Sequence, residues 1–63
     1  MIKVTDLTTG SIIFTGETED FLYFCNNDSD IELFLESFEL TKCDSDVFSN
    51  DDYNYLVERE EEF

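Results

Sequence analysis

The chain has 63 residues, enough for one small domain and too few for a second core. Seventeen acids stand against three bases, Lys3, Lys42 and Arg59, for a formal charge of −14. A body this negative repels anionic headgroups and phosphate backbones, so neither a membrane surface nor nucleic acid itself is an expected ligand. High net charge is also a mark of disorder, but seven Phe, three Tyr, no Pro and only two Gly favour a packed core. Neither a secretory leader nor a membrane-length apolar run is visible.

Residues 2–7 alternate, with Ile2 and Val4 on one side, and residues 11–15 bring Ile12, Ile13 and Phe14. Between them Thr8-Thr9-Gly10 supplies a three-residue loop with glycine at the left-handed position, which predicts a β-hairpin. Gly16 ends it. Thr18 is then the expected N-cap of a two-turn helix, with Glu19 and Asp20 in the first turn and Phe21, Leu22, Phe24 and Cys25 facing inward. Asn26 and Asn27 tolerate the left-handed geometry that stops it.

Ser29 and Glu32 have capping-box spacing, and Ile31, Phe34, Leu35 and Phe38 fall at i, i+3, i+4 and i+7, one face of a second helix. The alternation of Ile31, Leu33 and Leu35 leaves a strand as the rival for this segment. Residues 38–43 also alternate and read as a strand if the helix ends near Glu36 or Ser37. Asp, Ser and Asn make residues 44–52 loop chemistry. Residues 53–59 form a last strand with Tyr53, Tyr55 and Val57 on one face, and residues 60–63 are expected to fray. The sum is an α+β domain spanning 1–63, with two hairpins in one small antiparallel sheet and one or two short helices between them on one face.

Two isolated cysteines, Cys25 and Cys43, with no C-x-x-C, are expected to be buried thiols in a reducing cytosol. With no histidine and no glycine-rich phosphate loop, the chain is not expected to be an enzyme or to hold a cofactor. A calcium loop of the EF-hand type fails from Asp28, where position 6 is Leu33, and from Asp44, where position 5 is Phe48. No metal site is therefore assigned, and weak divalent binding by Asp44, Asp46, Asp51 and Asp52 stays as a minor alternative.

The acids themselves are the signal. Glu32, Glu36 and Glu39 stripe one side of the second helix, and Asp44, Asp46, Asp51 and Asp52 follow in a stretch without a base after Lys42. Carboxylates at i and i+4 lie about 5–6 Å apart, close to the spacing of successive phosphates along one strand. These seven, with the neighbouring aromatic Tyr53 and its companions Phe48 and Tyr55 as anchors, are the expected partner-binding residues. Small size, extreme acidity, absent histidine and a hairpin-plus-helix plan resemble the small phage-encoded DNA-mimic inhibitors, among them anti-CRISPR proteins, anti-restriction proteins and uracil-DNA glycosylase inhibitors. That resemblance implies a monomer or homodimer in the cytoplasm of an infected bacterium. It would sit in the DNA-binding site of a basic nuclease or restriction-type enzyme, with an RNA-guided nuclease as the first candidate. The rival is an acidic adaptor on a basic protein patch, with no nucleic-acid competition.

Overall fold

The computed structural model describes residues 1–60. Its elements run β1 (Ile2–Asp6), β2 (Ser11–Gly16), α1 (Thr18–Phe24), α2 (Ser29–Thr41), β3 (Ser45–Ser49) and β4 (Asn54–Arg59). All strand pairs are antiparallel, in the order β2-β1-β4-β3, so the last strand lies beside the first. The α+β plan of two hairpins with helices between them is the one the sequence predicts.

Directly opposed residues share a face of the sheet. The inner face is read from Val4, paired with Phe14 and Val57, and from Ile2, paired with Gly16 and Arg59. Against it lie Phe21 from α1, Cys25 at the C-cap of α1, and Ile31, Leu35 and Phe38 from α2, closing one core. Phe21 is fully buried, with rings of Phe14, Phe24 and Tyr55 centred within 6.2 Å. A Cβ on Gly16 would stand 3.0 Å from the Phe14 ring, at a φ of +153° that L side chains rarely adopt. This position therefore holds a glycine for two reasons.

Local details depart from the sequence reading at several places, and Phe24, expected to face inward on α1, is 53% exposed. The first loop has four residues, because Gly10, at φ +78°, returns its N–H to the Asp6 carbonyl at 2.7 Å. The N-cap of α1 is Glu17, without a side-chain bond, and Thr18 is already helical. Asp28, one residue ahead of the expected Ser29, caps α2: its Oδ1 accepts from the N–H groups of Asp30 at 2.9 Å and Ile31 at 3.4 Å. Replacing Asp28 with alanine is expected to cost about 1 kcal/mol in urea unfolding, the usual worth of a side-chain cap.

Another departure is the end of α2. It runs through Thr41 to a left-handed Lys42, and residues 38–41 are helix where alternation predicts strand. Phe38 is carried into the core on the helical face, and Arg59, distant in sequence, closes the helix end. Its Nη2 donates to the Phe38 carbonyl at 3.2 Å, its Nε donates to the Cys43 carbonyl at 3.1 Å, and its guanidinium lies 4.8 Å from the Phe38 ring centre. Phe38 lies in the last turn of α2, where carbonyls lack a partner within the helix, and Arg59 supplies one there and another just beyond the helix end.

A further one is β3, which occupies 45–49 inside the expected loop. It is an edge strand, so it shows little apolar alternation, and Phe48 holds it by packing on Phe34 and Tyr53 at 5.1 and 5.9 Å. Cys25 is buried as expected, but Cys43 is exposed beyond the end of α2. Of the residues expected to fray, Glu60 donates its N–H to the Met1 carbonyl at 2.9 Å and places its carboxylate 3.6 Å from Lys3. Residues 61–63 lie outside the described part.

Candidate functional site

The N-terminal part of α1 and the middle of α2 meet across a shallow groove of about 170 Å³. Its floor is Leu22 and Leu35, and its rim carries Glu19 from α1 and Glu32, Glu36 and Glu39 from α2. Helical periodicity explains the rim. With Ile31, Leu35 and Phe38 turned into the core, Glu32, Glu36 and Glu39 project together on the flank facing α1. The predicted glutamate stripe is thus one continuous feature, and α1 adds a fourth carboxylate to it. Only Glu39 is drawn aside, with Oε2 3.7 Å from Arg59 Nη1.

The aspartates are placed elsewhere. Asp44 precedes β3, and Asp46 lies on that edge strand opposite buried Val57, where its Oδ1 accepts the Val47 N–H at 2.8 Å. Asp51 and Asp52 sit in the β3–β4 turn, where Asn50 Oδ1 accepts the N–H groups of Asp52 and Tyr53, each at 2.8 Å. They open onto a second basin of about 390 Å³, shared with Asp6, Asn50, Tyr53 and Tyr55. The seven expected carboxylates therefore fall into three groups: a groove rim, a sheet edge and a turn.

Tyr53 is not a free anchor. Its ring stacks between Phe48 at 5.9 Å and Tyr55 at 5.4 Å, and its hydroxyl donates to Asp28 Oδ2 at 3.4 Å. Desolvation, followed by the Asp28 carboxylate, pushes the Tyr53 phenol above its ordinary value. Burial does the same to Tyr55, and burial with Asp28 raises the Cys25 thiol, which stays protonated at neutral pH. These are packing groups, with no proton placed for transfer.

The apolar groups that do reach solvent are others. Leu33 is 65% exposed and Leu40 76% exposed, one on either side of the Glu36 turn of α2, and Tyr23 on α1 is 78% exposed. On a helical wheel Leu33 and Leu40 coincide, outside the core stripe and next to the glutamates. That signal was present in the sequence. What was not present is Glu19, because its membership depends on how two helices seven and thirteen residues long are set against each other.

Among the described residues no three His, Cys, Asp or Glu side chains converge to hold a metal ion, and no helix is long and apolar enough to cross a membrane. No protein-family model, curated protein or solved structure matches the chain.

Proposed function

We propose that the protein is a non-enzymatic inhibitor whose acidic helical face stands in for nucleic-acid phosphates and occupies the DNA-binding site of a host defence nuclease, an RNA-guided one first. The observation that carries this reading is the groove: four glutamates around a floor of Leu22 and Leu35. A lysine or arginine of the target lays its aliphatic stem on such a floor and keeps its charged head among the carboxylates. Cations that would otherwise neutralise phosphates are thereby engaged, and the nucleic acid is excluded. Asp44, Asp46, Asp51 and Asp52, on other parts of the surface, add to the field that draws the chain toward a basic cleft.

The direct test is competition. With the target immobilised, a DNA duplex or guide RNA is expected to displace the protein in proportion to its own affinity. Displacement by neither would overturn the reading in favour of an acidic adaptor that binds a basic patch away from nucleic acid. That second reading draws on Tyr23, Leu33 and Leu40, because apolar groups interleaved with acids suit a protein surface better than they imitate a phosphate row.

A further inference from the structure

The two edges of the sheet are built differently. On β3 the exposed edge carries Asp46, whose carboxylate occupies the Val47 N–H, and it is flanked by Asp44 on one side and by Asp51 and Asp52 on the other. Charge on an edge strand is a common guard against pairing with another chain. On β2 there is no such guard: residues 7–16 contain no charged side chain in a molecule of charge −14. Only the N–H of Ser11 is engaged locally, by Thr9 Oγ1 at 3.3 Å. Half-exposed apolar groups flank this edge on both faces of the sheet. Ile12, opposite Thr5 on the bare outer face, is 59% exposed, and Phe24, on the helical side over Phe14 at 5.7 Å, is 53% exposed.

We infer that β2 is a self-association edge, along which a second copy of this chain pairs antiparallel to give a continuous eight-stranded sheet. Charge selects this occupant. A basic partner gains nothing from a neutral strip, whereas two copies can meet there without setting acid against acid along the strand. The acids that bracket the strip are Asp6 and Glu17, and Glu17 has the terminal ammonium of Met1 3.7 Å from its Oε2. Glu19 and Asp20, both exposed, are the acids on the helix that covers β2. A six-residue edge spans about 20 Å and buries less than the roughly 1,600 Å² of a standard interface, so the dimer is weak and concentration-dependent.

Two bodies of charge −14 repel beyond the contact, and salt screens that repulsion over about 10 Å at 0.1 M and about 3 Å at 1 M. Dimerisation is therefore expected to strengthen with salt, whereas capture of a basic target weakens; the two ideas fail independently. In sedimentation equilibrium the dimer fraction at fixed protein concentration is expected to rise severalfold from low to high salt. Ile12→Lys, and separately Thr15→Lys, both at exposed positions of β2, are expected to leave a monomer with unchanged circular dichroism. Val47→Lys on the far edge is expected to remain dimeric. A monomer at millimolar concentration in high salt would overturn the inference, as would a dimer that survives both β2 changes or is abolished by Val47→Lys.

Discussion

Changing Glu19, Glu32, Glu36 and Glu39 together to lysine is expected to abolish inhibition in a DNA-cleavage assay and to weaken target binding by at least about 100-fold. Each reversal replaces an attraction with a like-charge contact, and such contacts inside an interface cost several kcal/mol. All four side chains surround the same groove and none is buried, so the core is untouched; Glu39→Lys replaces the 3.7 Å ion pair with Arg59 by a like-charge contact and is expected to loosen the end of α2. Circular dichroism and the unfolding midpoint are the check on that point. The informative control reverses Asp44, Asp46, Asp51 and Asp52, which alters the net charge by the same amount at the sheet edge and the β3–β4 turn. Because distant charges act mainly on encounter rate, that variant is expected to bind about tenfold more slowly and to dissociate at nearly the original rate. Equal losses from the two quadruple changes would mean that net charge, and not the groove, is what the target reads.

Phe21→Ala is expected to leave the chain largely unfolded at 25 °C. Truncating a buried phenylalanine costs about 3–5 kcal/mol, through lost transfer energy and the cavity left behind. A 63-residue domain has roughly 3–9 kcal/mol in total by per-residue scaling. Phe21 is also the centre of the aromatic group that joins α1 to both hairpins, through Phe14 on β2 and Tyr55 on β4, so little can collapse into the space it vacates. Self-repulsion lowers the margin further, and 1 M salt should recover part of the lost signal in the variant. Far-ultraviolet circular dichroism read across a urea series measures the effect. A variant that retains a cooperative transition with an unfolding free energy within 1 kcal/mol of the parent would show that the core does not depend on this residue.

The sequence revealed most where a residue's role depends on its neighbours in the chain. The first hairpin, the apolar face of α2 and the glutamate stripe beside it all follow from spacing, and each has the predicted form. The reading strayed where a distant residue decides. Phe38 alternates well enough with Leu40 to pass for strand, but it is buried on the apolar face of α2, and the guanidinium of Arg59, arriving from β4, bonds its carbonyl at the helix end. Residues 45–49 look like loop because an edge strand needs only Phe48 to hold it, and its backbone bonds to β4 leave no trace in composition. The same limit applies to the site. Three of the four rim glutamates share one helix and were legible; Glu19 belongs through an interhelical contact that no local pattern encodes. Whether Tyr53 packs inward or outward has no signature in its neighbours along the chain, because its contacts come from Phe48, Tyr55 and Asp28.

The position of β4 has a consequence for how the molecule comes into being on the ribosome. β4, which follows all the other described elements in the chain, fills the middle of the sheet, between β1 and β3, and it also delivers Arg59 to the end of α2. Until it emerges, the nascent chain holds a lone hairpin, two helices with half a surface to rest on, and a third strand without a neighbour. A chain that stops before β4 therefore keeps most of its acids but loses the strand on which both β1 and β3 pair.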